Sequence, residues 1–368
     1  MAIRRRARHS HVLLDLPEII QLWLFRLLVP LGVHRNIIDQ HGIKDDTLAE
    51  MLGLGEWGYP AAGDFDLKSI RDQLRSRHQT CERKLSNSRP PTCLSSNINR
   101  LSTLVGLSET DCRILEFAVL IQNELILADT ADWLGQLPSV KVFQALSILL
   151  QIPVEEIRAS LSVHSVLYKS GLVSIDYSSP STLSQKLDLL SNTFADHILS
   201  FDADPISLLR DTVVLGSAAK LSISDYNHIT LSLSVLRPYL KCSIAAKRRG
   251  VNIFLHGKPG TGKSQLAKVL AQELNCELFE VASEDEDGEP AKGERRLRSF
   301  RAAQSFFAQR EALILFDEVE DVFNDGNRFL GQKSTAQIRK AWINRILEEN
   351  PVPTFWLSNS IEELDPAF

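Results

Sequence analysis

The chain has 368 residues, 44% of them hydrophobic and 24% charged, which excludes a single small domain and matches the make-up of ordinary soluble protein. Lysine and arginine number 41 against 46 aspartate and glutamate, a formal charge of -5, so the total offers no general affinity for nucleic acid or for an anionic membrane. Cys81, Cys93, Cys112, Cys242 and Cys276 contain no CxxC pair and no HExxH accompanies them, which argues against a zinc site and for reduced thiols in a cytoplasmic protein.

Arg4, Arg5, Arg6 and Arg8 precede the apolar run Ile19 to Phe25. Arg26 and Pro30 interrupt that run short of the ~20 apolar residues a membrane span needs, so it is read as a packing helix with no membrane contact. Glycines 53, 55, 58 and 63 with Pro60 then punctuate the chain as a loop. From Asp64 to Arg89 seven basic residues face four acidic ones, with Arg71 and Arg75 one turn apart, which predicts a helix with a solvated basic face. These segments make up a helical N-terminal region over 1–90. Ser86 to Ser96, with Pro90 and Pro91 inside, reads as a linker.

A helical or winged-helix-like domain is expected over 97–180. Leu107-Ser108-Glu109-Thr110-Asp111 is an N-capping pattern ahead of Ile114, Leu115, Ala118, Val119 and Ile121 at helical spacing. Ala145 to Leu150 and Val154 to Leu161, separated by Gln151-Ile152-Pro153, form a helix, a short turn and a helix. Leu167 to Ile175 is then a helix end leading into a wing strand. Between Asn97 and Pro180 there are five basic and nine acidic residues, the wrong balance for neutralising phosphates, so DNA contact by this unit is not expected. Residues 181–240, rich in Ser and Leu, read as a helical connector.

The last third, 241–368, carries the chemistry. Val251 to His256 is a short apolar strand running into Gly257, Lys258, Pro259, Gly260, Thr261, Gly262, Lys263 and Ser264, and then into a helix from Gln265 to Leu274. Glycines in a strand–loop–helix let backbone N–H groups surround phosphates, and the helix N-terminus favours anions. Lys263 supplies a cation for the β- and γ-phosphates, Ser264 a hydroxyl for Mg²⁺, and Gln265 the first turn beyond them. Ala312 to Phe316 is a buried-strand run ending in Asp317 and Glu318. Ligands collect at the carboxyl ends of such strands, which places Asp317 at Mg²⁺ and Glu318 at the water that attacks the γ-phosphate. Pro353 to Ser358 reads as a third strand, ending at Asn359, whose amide can orient that water or touch the γ-phosphate.

The three motifs together resemble the AAA+ ATPases, and within them the AAA family proper, over roughly 220–368. Walker A corresponds to 257–264, Walker B to 313–318 and the sensor-1 asparagine to Asn359, followed by the family-like stretch Leu364-Asp365-Pro366. The resemblance implies an α/β P-loop NTPase core behind a mostly helical N-terminal region. It also implies ATP and Mg²⁺ as ligands, ATP phosphohydrolase activity, a homo-oligomeric ring and remodelling of a macromolecular client, expected to be a protein. The sequence reaches Phe368 before the family's arginine fingers, last strand and lid, and is read as truncated there. An incomplete parallel sheet follows, with Val251 to His256 as an apolar edge and slow hydrolysis by this chain alone. Glu284 to Glu289 holds five acids, and Pro290-Ala291-Lys292-Gly293 stands where unfoldases carry a pore aromatic, which weakens a threading role. Two other readings stay open: an ATP-responsive DNA- or protein-binding module with little hydrolysis, and an inactive fragment.

Overall fold

The apolar run near the N-terminus folds as the helix Glu18–Leu28, with Pro17 at its N-cap. This and all that follows come from a computed structural model that describes residues 16–58, 66–177, 180–200, 204–284, 288–323 and 340–360. Arg4 to Arg8, Gly63, Asp285 to Asp287 and Leu364 to Phe368 lie outside the described residues. Ile20, Leu22, Trp23, Leu24 and Leu27 are buried, and the Trp23 ring meets Phe117 edge-on with centroids 4.9 Å apart. Arg26, which interrupts the run in sequence, is buried with it. Its guanidinium pairs with Glu82 at 2.7 Å and donates to the Leu149 carbonyl, so the charge enters the core only with its partners. No helix among the described residues is long and apolar enough to cross a membrane.

Glu82 belongs to the helix Leu67–Leu85, which Asp66 caps by accepting from the amides of Lys68 and Ser69. Between these two helices β1 (Ile38–Asp39) and β2 (Gly42–Ile43) form a small antiparallel hairpin. The linker read over Ser86 to Ser96 is shorter in the structure, because Pro91 serves as the N-cap of the helix Thr92–Val105. Ser108 and Asp111 close a reciprocal capping box on the helix Glu109–Asn123. Helices Ser139–Leu150 and Val154–Ser160 flank Gln151, which takes a left-handed conformation. β3 (Val173–Ile175) follows the short helix Val166–Lys169 and pairs antiparallel with β4 (Leu187–Leu189).

β5 (Val213–Leu215) opens a five-stranded sheet completed by β6 (Asn252–His256), β7 (Glu277–Val281), β8 (Ala312–Phe316) and β9 (Thr354–Ser358). The order is β5-β7-β8-β9-β6. β6 to β9 run parallel, while β5 pairs antiparallel with β7, Val213 opposite Val281, so the sheet is mixed rather than wholly parallel. The sequence places 181–240 in a helical connector and starts the core at 241. The structure differs on both points, since β4 and β5 come from that connector. A three-residue strand has no readable period, and its strand state comes from the β7 edge it joins.

Every residue of β8 and β9 is buried. Helices cover both faces of these strands, which is why they read as unbroken apolar runs. Leu313 and Leu315 pack with Leu266, Ala267 and Leu270 of the helix Lys263–Leu274. Ile314 and Phe316 lie in the opposite cluster with Phe300, Ala303 and Ile343 of the helices Gly293–Phe306 and Lys340–Glu349. That second cluster is continuous with the core of the N-terminal helices. β6 has β9 as its one partner among the described strands and forms a sheet edge, as the sequence predicts.

Candidate nucleotide site

β6 delivers the chain to the glycine-rich loop beside the end of β9. His256 lies opposite Ser358, and the Gly257 N–H donates to the Ser358 carbonyl at 3.3 Å. Gly260 and Gly262 take φ of +80° and +84°, values an L side chain reaches only at a cost. Gly262 is the N-cap of Lys263–Leu274. A Cβ there would also stand 3.1 Å from the Tyr226 hydroxyl, so two constraints demand glycine. Tyr226 donates to the Gly262 carbonyl at 2.8 Å. Burial, reinforced by the Asp225 charge, pushes its phenol above the ordinary range and keeps it protonated as a donor.

Lys263 places its ammonium 2.8 Å from the Gly257 carbonyl and 3.0 Å from Asn359 Oδ1. Ser264 Oγ donates to Asp317 Oδ2 at 2.8 Å. The loop at the end of β6, the carboxylate at the end of β8 and the amide at the end of β9 therefore meet at one place. Parallel strands in this order bring their carboxyl ends together. Glu318 is exposed, and its N–H donates to Asp317 Oδ1 at 2.9 Å. Lys258, Pro259, Gly260 and Thr261 form the exposed outer part of the loop, tied by the Thr261 hydroxyl to the Lys258 carbonyl at 2.9 Å. Gln265 differs from the others: its side-chain oxygen accepts from the Lys220 N–H at 2.7 Å, so the amide braces the preceding segment.

The residues present fit the expected ligands. Asp317 and Ser264 offer two hard oxygen donors in contact, the kind Mg²⁺ takes while it keeps water and phosphate oxygens. A Cβ at Gly260 would meet nothing within 4 Å, which leaves the loop backbone open to a phosphate chain beside Lys263 and the helix N-terminus.

Three supporting residues escape a motif search. Tyr226 backs the loop, and its one sequence signal is the capping box of Ser222 with Asp225 just before it. Glu320 accepts from the Ser358 hydroxyl at 2.7 Å and from the Asn359 N–H, fastening the end of β9 to the turn after β8. Burial pushes the Glu320 carboxyl up, but the Ser358 hydroxyl and the Asn359 amide outweigh it and hold the group below the usual range. Arg296, fully buried, stacks on Phe316 with its guanidinium 4.3 Å from the ring centroid and donates to the carbonyls of Asp317 and Glu318.

Comparison with known proteins agrees with this geometry. Residues 253–368 match the model of the ATPase family associated with various cellular activities (AAA). The chain is 27% identical over 157 residues to the ATP-dependent zinc metalloprotease FtsH of Malacoplasma penetrans, covering 42% of this chain and 18% of that protein. It is also 27% identical over 225 residues to the Pachytene checkpoint protein 2 homolog of Homo sapiens, covering 50% of this chain and 52% of that one. A third relative, the ATPase family gene 2 protein homolog B of Rattus norvegicus, is 27% identical over 160 residues, 42% of this chain and 21% of the relative. The chain thus spans at most about half the length of these relatives. A P-loop NTPase sheet lies behind a mostly helical region, and residues 253–368, which contain the site, match the AAA family model, so this part of the chain is similar to the AAA+ ATPases.

Proposed function

We propose that the chain binds Mg-ATP between the Gly257–Ser264 loop and the ends of β8 and β9, and hydrolyses it to remodel a protein client. The observation that carries this reading is the pair of contacts Lys263 to Asn359 and Ser264 to Asp317, which join three separate motifs in one site. Lys263 and the loop amides hold the β- and γ-phosphates, and Ser264 and Asp317 hold Mg²⁺. Glu318 takes a proton from the water that attacks the γ-phosphorus as the bond to the ADP oxygen breaks, and Asn359 orients that water. A ring of copies is the assembly such domains commonly use, with the helical region ahead of β5 selecting the client. The name of the FtsH relative, an ATP-dependent protease, supports a protein client over a nucleic acid.

The test compares ATP binding and turnover in the parent chain, Lys263→Ala and Glu318→Gln. Lys263→Ala is expected to lose ATP binding, and Glu318→Gln to keep ATP while losing turnover. Unchanged affinity after Lys263→Ala sinks the assignment of the site.

A further inference from the structure

Glu318 is one of four residues other than glycine with a positive φ among the described residues, at +51°. A glutamate reaches that conformation only where its surroundings hold it there, and such residues gather at functional sites. The Asp317–Glu318 turn follows β8, whose side chains are packed on both faces, so its freedom lies in the main chain just beyond Phe316. At that point Arg296 supplies the restraint. Its Nη1 donates to the Glu318 carbonyl at 3.0 Å, its Nη2 donates to the Asp317 carbonyl, and its plane lies over the Phe316 ring. The residue is fully buried and sits in the first turn of the helix Gly293–Phe306, its own N–H bonded to the Lys292 carbonyl at 3.0 Å.

Resting on the nucleotide-site reading above, we propose that Arg296 is the positioning residue of the metal and water site. It acts through main-chain carbonyls to aim the Asp317 and Glu318 carboxylates. A guanidinium suits this task because its fixed fork can donate to two successive carbonyls at once, whereas a lysine ammonium is a single point on a flexible stem. The charged donor makes each bond stronger than a neutral one would be, and burial against Phe316 removes competing water. Both of these bonds go to main-chain carbonyls, so loss of Arg296 is expected to leave the phosphate-binding loop and Lys263 intact and to loosen the side of the site that meets Mg²⁺.

That separation defines the experiment. ATP affinity is measured with Mg²⁺ and with EDTA for the parent chain, Arg296→Met and Arg296→Lys, with thermal melting as a control for folding. The parent chain is expected to bind ATP more tightly with Mg²⁺, and Arg296→Met to bind Mg-free ATP as the parent does. The Mg²⁺-dependent gain in Arg296→Met is expected to shrink roughly 10- to 100-fold, the usual cost of losing a residue that orients a metal ligand. Arg296→Lys is expected to fall between them, and it decides the question if Arg296→Met does not fold. Turnover, where measured, is expected to drop in kcat with KM little changed. A full Mg²⁺ gain in both variants overturns the role of Arg296 while leaving the nucleotide site standing. A parent chain that binds no ATP overturns both.

Discussion

Gly262 and Tyr226 set each other's identity, which makes the loop sensitive at a residue that carries no charge. Gly262→Ala forces a left-handed φ on a side chain, at about 1–2 kcal/mol, and drives a methyl to within 3.1 Å of the Tyr226 hydroxyl. The expected result is weaker ATP binding with a small loss of melting temperature, and Tyr226→Phe in the same background is expected to relieve part of it. Wild-type affinity in Gly262→Ala would count against the contact. A second residue-scale effect lies far from the site. Burial pushes the Glu116 carboxyl up to about 7 from the ordinary 4.5, with the Arg113 charge opposing. The folded state then binds the proton more tightly than the unfolded chain, so Glu116 favours folding below about pH 4.5. That contribution is lost as the pH rises toward 7 and is absent above it, a swing of at most about 3 kcal/mol. Urea titrations at pH 5 and pH 8 check this, because Glu116→Gln is expected to lose less stability between the two than the parent chain. The glycine loop and the acids after β8 were legible in sequence as particular residue types at a particular spacing, and the structure brings Ser264 and Asp317 together. Tyr226 and Arg296 were not, since each acts on a main-chain carbonyl, which every residue has.

Helices in the N-terminal region are joined by polar contacts as well as by apolar packing. Arg26 on Glu18–Leu28 reaches Glu82 on Leu67–Leu85, and the guanidinium beside it holds the Glu82 carboxyl below the usual carboxylate range. Removing one partner of a buried pair leaves the other charge uncompensated. Glu82→Ala is therefore expected to cost about 3 kcal/mol, the low end of the usual range because Glu82 is partly exposed. The double change Arg26→Met with Glu82→Leu is expected to recover most of it, as denaturant midpoints would show; a double variant no more stable than Glu82→Ala would rule out the pair as the cause. At this scale the long elements were readable. The Ser108 capping box, the apolar spacing after it and the break at Gln151 are local signals, and the structure places helices on either side of them. β1, β2, β4 and β5 were not readable, because strands of two or three residues are made by their partners across the sheet rather than by their own pattern.

Among the described residues, one continuous apolar cluster joins the helical region to the sheet. It runs from Trp23 and Phe117 through Phe194 and Leu208 to Phe279, Phe300, Phe316 and Trp356, so the helical region and one face of the ATPase sheet share a core. Arg298 of the helix Gly293–Phe306 also pairs with Asp188 and donates to the Leu189 carbonyl at 2.8 Å, locking β4 onto that helix. Separate units with a thin interface would unfold independently; a shared core predicts that they unfold together. Ligand linkage tests this directly. ATP with Mg²⁺ at 100 times its dissociation constant stabilises the folded state by about 2.7 kcal/mol, which slows exchange of globally protected amides roughly 100-fold. If the chain opens as one unit, the slowest amides of Glu109–Asn123, far from the loop in sequence, are expected to gain the same factor as those of β8. A gain confined to the strands and helices of the ATPase sheet would mean that the helical region opens by itself. Energy released at the phosphates would then have no rigid path through the shared core to whatever that region binds.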